Sequence, residues 1–213
     1  PGRLTTDGIH AAEALYHKYH APRGDEREHF FALAAQDSGA RRVLYPGCFV
    51  HITASFVFPD VTYVDADSRA CPYIAGARAR DTIATRKHYP EQASITCIRA
   101  DYREPLDLPP GSFDLLISQY AGPISQHCKQ YLSPGGYLLA NDSHGDASLA
   151  FWDSDFTLAA AYRRRGERFT EIPDDTAGLF IPKRAGEIPT DPREAKAWLA
   201  DRGRPPAYQQ TAF

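Results

Sequence analysis

RVLYPGCFVHITASFVFPDVTYVDAD, residues 42 to 67, is the stretch that decides the fold. Val43 to Tyr45 reads as a first strand, Pro46-Gly47 as a tight turn, and Val61 to Val64 as a second strand ending at Asp65. Two short apolar strands joined this way belong to an open parallel sheet. Ligands of such sheets sit beyond the carboxyl ends of the strands, where backbone N–H groups face them and an acidic side chain reaches ribose hydroxyls. The stretch therefore points to a nucleoside site.

Working outward, a third strand over 95–99 delivers Ala100-Asp101-Tyr102, and a fourth runs from Phe113 to Ser118. Leu132-Ser-Pro-Gly-Gly136 introduces a fifth, which ends at Asn141-Asp142. Periodicity alone gives an alternating α/β protein. The succession over about residues 40 to 145 resembles the class I S-adenosylmethionine-dependent methyltransferases. What the resemblance implies is a doubly wound, mostly parallel sheet of the seven-stranded type, helices on both faces, and an antiparallel last strand. It also implies S-adenosylmethionine as cofactor, with no metal required.

The loop after the first strand departs from the family pattern of an acid followed by three alternating glycines. Tyr45, Gly47, Phe49 and His51 stand there, so only the first glycine remains. A side chain at a left-handed position costs about 1–2 kcal/mol, and a loop of different shape is expected. Phe49 and His51 either point away or line the pocket; Thr53 and Ser55 donate hydrogen bonds or cap the next helix.

Asp65 lies 18 residues after Gly47, close to the offset of ribose-binding acids; the competing reading is a helix cap, for which Asp67 is the better candidate. By resemblance Asp101 accepts from the adenine amine and Tyr102 sits beside it, unless Asp101 only closes a turn. Gln119 and Tyr120, after the fourth strand, stand at the rim near the sulfonium and the acceptor, or form a hydrogen-bonded turn. Aromatic faces at Tyr45, Phe49 and Tyr120 suit a cationic sulfur. His51, Asp142 and His144 are the candidates for removing a proton, although the string 141–146 is also good turn and N-cap chemistry.

The remainder of the 213 residues reads as one domain: 1–39 a helical lid or edge cover, 40–145 the cofactor-binding core, 146–213 the completion of the sheet and a substrate wall. Ile9, Ala12, Leu15, Tyr16 and Tyr19 recur at helical spacing, and His10, His17 and His20 beside them read as solvated or packing residues. A second helix starts at Asp25, with Glu28 completing a capping box. Residues 68–92 read as a polar, solvated helical region, and 124–132 as a helix. Arg163-Arg164-Arg165 reads as a solvated tip, Asp191-Pro192 as the start of a last helix ending near Gly203, and Tyr208 to Phe213 as the start of a final strand.

Cys48, Cys71, Cys97 and Cys128 show no C-x-x-C spacing and read as free thiols in a reducing compartment. No apolar run approaches the roughly 20 residues of a membrane helix, and no signal peptide is visible, so the expected location is the cytoplasm. A formal charge of -3 argues against nucleic acid. The expected activity is methylation of a small-molecule O or N acceptor. Two alternatives stay open: a non-methylating enzyme that releases methylthioadenosine from the same cofactor, and a binding or regulatory protein on a degenerate fold. The oligomeric state is not legible.

Overall fold

A computed structural model describes residues 6–20, 24–166, 168–172, 176–189 and 191–208, without the side chains of 6–9, 19, 24–26 and 177. Helices α1 (Thr6–Tyr19) and α2 (Gly24–Ser38) lead into strand β1 (Arg42–Pro46). There follow α3 (Ala54–Val57), β2 (Asp60–Val64), α4 (Ala70–Ile74), α5 (Ala77–Arg86), β3 (Ser94–Ile98), β4 (Phe113–Ser118), α6 (Ile124–Cys128) and β5 (Leu132–Ala140). The chain ends in α7 (Asp146–Phe151), the strands β6 (Tyr162–Arg165) and β7 (Arg168–Glu171), and α8 (Pro192–Arg202).

The five strands form one parallel sheet in the order β3-β2-β1-β4-β5. The chain reverses direction across the sheet between β1 and β4, which opens a crevice at their carboxyl ends. Alternation along the strands fills both faces. Val43, Tyr45, Val61, Tyr63, Leu115 and Ile117 pack into one apolar layer that includes Tyr16 of α1 and Phe30 and Phe31 of α2. Leu44, Val64 and Leu116 join Phe113, Ile124 and Tyr131 in the other. A strand buried on both faces in this way belongs inside a doubly wound sheet.

Five strands, rather than seven, make up this sheet among the described residues. β6 and β7 form a separate antiparallel hairpin, with Arg163 to Arg165 leading to its tip. Tyr208 contributes only an isolated antiparallel bridge to Pro182, and the rest of the expected final strand lies outside the described residues. β5 is consequently an edge strand. A groove of about 470 Å³ runs along it, lined by Tyr137, Leu139, Phe151, Phe156, Leu158 and Phe180.

Several local expectations are corrected. Cys71 of α4 and Cys97 of β3 are joined in a disulfide, whereas Cys48 and Cys128 are buried free thiols. Spacing gave no hint of the bond, because the β2–α4–β3 crossover brings together two residues 26 apart. The Glu28 carboxylate pairs with Arg86 at 2.5 Å and His88 at 2.7 Å. The Asp25 side chain, the partner that the expected capping box needs, lies outside the described residues. Thr53 occupies the N-cap of α3 without a side-chain bond to it, while Ser55 Oγ meets Tyr63 Oη at 2.6 Å. Residues 68–92 form two helices separated at Ala75-Gly76, and 124–132 a short α-helix followed by a 3-10 turn over Lys129–Tyr131. No helix of the described residues is long and apolar enough to cross a membrane.

Candidate active site

The loop after β1 begins at Gly47, whose N–H extends the pairing with β2 by donating to Val64 O at 2.8 Å. Gly47 adopts φ 64, and a Cβ built on it would lie 2.2 Å from Ala121 Cβ in the loop after β4. The two loops that border the crevice thus touch at Gly47, which is why a glycine survives there. Tyr102, after β3, spans the same contact by donating its hydroxyl to Ala121 O at 2.6 Å.

Phe49 takes the left-handed conformation itself, at φ 49. The expected cost of about 1–2 kcal/mol is therefore present rather than avoided by a change of shape. Its N–H donates to Asp65 Oδ2 at 2.6 Å, a bond to a carboxylate strong enough to offset that cost. The Arg69 guanidinium covers the Phe49 ring at 5.1 Å.

Asp65 stands at the end of β2, half-buried. Its Oδ1 accepts from Asp67 N at 2.8 Å, so each oxygen holds one backbone bond and retains a lone pair. Asp67 closes the next turn by accepting from Arg69 N at 2.8 Å. Backbone pairing runs past the strands here, with Asp65 N donating to Ile98 O and Ala100 N to Asp65 O. This sets Asp101 at the same end of the sheet as Asp65. The Asp101 carboxylate is already engaged: Arg103 meets both of its oxygens, at 2.9 and 2.5 Å, and holds its pKa down at about 2.

On the α1/α2 side of the crevice a second group forms around His51, which is 1% exposed. His51 Nδ1 lies 2.9 Å from Tyr45 Oη and 3.5 Å from Arg27 Nη1. A guanidinium can only donate, and burial raises the pKa of the Tyr45 hydroxyl so that it keeps its proton. Nδ1 is therefore the acceptor and Nε2 carries the hydrogen. That Nε2–H has no hydrogen-bond partner among the described residues, nor have the buried Thr53 Oγ1 and Gln119 Nε2. The His20 ring packs 4.7 Å from that of His51, which is the second of the two roles, solvated or packing, expected of it. Arg27 also lies over the Tyr120 ring at 4.8 Å, and Tyr120 is itself left-handed at φ 58 and half exposed.

Burial first, then Arg27 and His20, push the His51 imidazole well below its ordinary 6.5. Below pH 6.5 the unfolded chain binds a proton that the folded chain refuses, so stability rises with pH in that window, by up to about 1.4 kcal/mol per unit. Stability is accordingly expected to fall as the pH is lowered from about 7 to about 5, and His51→Gln should flatten that slope. Chemical denaturation of both proteins across the range tests this; equal slopes would remove His51 as the cause.

The structure commits the residues after β5 elsewhere. Asp142 accepts from Ser148 N at 2.9 Å and Ser148 Oγ at 2.7 Å, and burial raises its pKa. It anchors α7, and Ser148 Oγ in turn meets Tyr208 Oη at 2.5 Å. His144 is exposed. Asn141 links instead to the rim: its Nδ2 donates to Gln119 Oε1 at 3.2 Å. The groove along β5 contains none of the predicted site residues.

Tyr45 with His51, Phe49 with Asp65, and Gly47 with Tyr102 are thus brought into contact. Arg27 went unnoticed in the sequence. Its signal was a cation at helical spacing from Phe30, Phe31 and Ala34, on the apolar face of α2.

No protein-family model matches the chain, and no curated protein sequence matches it. The solved structures it is similar to include methyltransferases. A Geobacter sulfurreducens methyltransferase aligns at 13% identity over 74% of this chain and 84% of that one, with a TM-score of 0.45. The O-methyltransferase TomG from Streptomyces achromogenes, solved with S-adenosylmethionine, aligns at 18% over 63% and 65%, with a TM-score of 0.38. A Methanococcus maripaludis protein assigned as an S-adenosylmethionine-dependent methyltransferase aligns at 12% over 65% and 64%, with a TM-score of 0.44. The chain spans just under two thirds of the last two. These likenesses concern the arrangement of strands and helices; the chemistry has to be read from this chain's own residues.

Proposed function

We propose that the chain is an S-adenosylmethionine-dependent methyltransferase acting on a small-molecule O or N acceptor in the cytoplasm. The observation that carries the reading is the half-buried Asp65 carboxylate, at the end of β2 beside the sheet reversal, with a lone pair left on each oxygen. The orphaned polar atoms of His51, Thr53 and Gln119, all in the loops after β1 and β4, fit a polar ligand in that crevice. Bound there, the cofactor supplies a methyl carbon made electrophilic by its positive sulfur.

Asp65 holds the ribose hydroxyls, and Tyr102 and Gly47 form the floor between nucleoside and methionine halves. Asp101 reaches adenine by sharing or releasing Arg103. Phe49 and Tyr120 offer aromatic faces to the sulfonium, contacts worth about 0.5–2 kcal/mol, while Gln119 orients the rim. His51 acts as a hydrogen-bond donor rather than a base, since its lone pair already faces Tyr45. Asp142 and His144 take no part as bases in this reading, which leaves positioning as the main source of acceleration.

The test is calorimetric binding of S-adenosylhomocysteine to the wild type and to Asp65→Asn. Loss of charged hydrogen bonds of about 1.5–3 kcal/mol should weaken binding about 10- to 150-fold. A melting curve checks that the variant is folded. Incubation with labelled S-adenosylmethionine and a metabolite extract then identifies the reaction: a labelled acceptor marks methyl transfer, and methylthioadenosine marks the non-methylating enzyme. Absence of binding would favour the non-catalytic reading, which the occupation of Asp101 by Arg103 supports.

A further inference from the structure

Arg27 is a half-buried cation that meets no carboxylate among the described residues; what it touches are the Tyr120 ring, His51 Nδ1 and the Tyr45 hydroxyl. A buried charge is ordinarily paired, because desolvation without a partner is costly. Asp65 acts electrostatically on Tyr45 of this group, and its oxygens are turned to the Phe49 and Asp67 N–H groups. Beside Arg27, His51 holds a buried Nε2–H with no acceptor among the described residues, and Gln119, the residue before Tyr120, holds a buried amide N–H likewise without one. Tyr45 and His20 complete the surroundings and bring no negative charge.

The cation and these two N–H groups all donate, so the partner they lack accepts; the Thr53 hydroxyl, also unpaired among the described residues, can do either. We propose that Arg27 and His51 form a carboxylate-binding subsite at the mouth between α2 and the loop after β4, with Tyr120 as its outer wall and Arg27 as the residue that selects for the charge. The carboxylate belongs either to the acceptor or to the amino-acid tail of the cofactor. Only that choice rests on the function proposed above.

Acetate and its neutral isostere acetamide are titrated into the full chain while the His51 ring nitrogens are followed by NMR. Acetate is expected to shift them saturably and acetamide not to. Arg27→Gln should weaken acetate by about tenfold or more, and Arg27→Lys by less, since it keeps the charge but loses the fork. No acetate response, or the same response in wild type and Arg27→Gln with both folded, overturns the subsite. The Lys variant carries the comparison if the Gln variant does not fold.

S-adenosylhomocysteine and methylthioadenosine, which lacks the carboxylate, then separate the sources. If Arg27→Gln weakens only the former, the tail of the cofactor is the ligand. If it weakens neither, while acetate binding to the protein saturated with S-adenosylhomocysteine still depends on Arg27, the acceptor carries the carboxylate. Acetate binding by a wild type that binds no nucleoside would sink the proposed function and leave the subsite standing.

Discussion

Replacing Gly47 by alanine is expected to destabilise the protein by about 2–5 kcal/mol, the sum of two separable costs. The first is conformational: at φ 64 an L side chain meets its own carbonyl, at about 1–2 kcal/mol. The second is steric. The new Cβ would lie 2.2 Å from Ala121 Cβ, and overpacking of this kind costs typically about 1–3 kcal/mol. Ala121→Gly removes the obstacle and leaves the backbone as it was. The double variant should therefore regain about 1–3 kcal/mol of what the single variant loses, while Gly47→Ala with Ala121 intact keeps the whole deficit. Urea denaturation of the four proteins in this cycle measures both parts. A single variant that loses under about 1 kcal/mol, or a double variant that regains nothing, would mean that the loops after β1 and β4 are not in contact. Their contact also shapes the crevice, so the same variants report on how tightly a nucleoside is gripped.

How far the sequence could be read depended on the range of the interaction. The last helix was legible at its start and approximately at its end: Asp191 accepts from Arg193 N and Glu194 N at 2.9 and 3.0 Å, Pro192 follows, and Gly203 ends the helix at φ 67. All of that is settled within a turn of chain. The strand succession was legible because Val43, Tyr45, Val61 and Tyr63 alternate with residues facing the opposite layer, and only a two-sided sheet buries both sets. The identity of Asp65 as the acid beside the loop followed from the same register. Phe49 was harder. A phenylalanine where glycine is usual argued for a different loop, and nothing local revealed that the Asp65 carboxylate would hold Phe49 left-handed. The Asp101–Arg103 pair, two residues apart, was within reach of a local reading and was passed over in favour of adenine. Arg27 meeting Tyr120, 93 positions later, was out of reach, as was the separation of 162–171 into its own hairpin.

The disulfide is the long-range feature with the largest expected consequence. Cross-linking Cys71 to Cys97 closes a loop of 26 residues, and the chain entropy it removes from the unfolded state corresponds to roughly 3–4 kcal/mol. Cys97→Ser, and the wild type in reductant, should each lose about that much, a fall of roughly 6–16 °C in melting temperature for a chain of this length. The two losses should not add, because both delete one bond. Mass spectrometry under non-reducing conditions, with and without a thiol-blocking reagent, counts the thiols: two should react once the protein is unfolded, four after reduction. Four reactive thiols without reductant, or a reduced protein within about 1 kcal/mol of the oxidised one, would remove the bond as a determinant of stability. The outcome bears on more than stability. α4 carries Cys71 directly after the Asp65–Asp67 turn and packs Tyr73 against Tyr16 of α1, ring centroids 6.0 Å apart. A reduced chain frees that wall of the crevice, so nucleoside affinity should weaken with reduction in the same samples. The expectation of a reducing compartment rested on four free thiols, and with two of them joined the same mass measurement on protein taken from its native source decides that question as well.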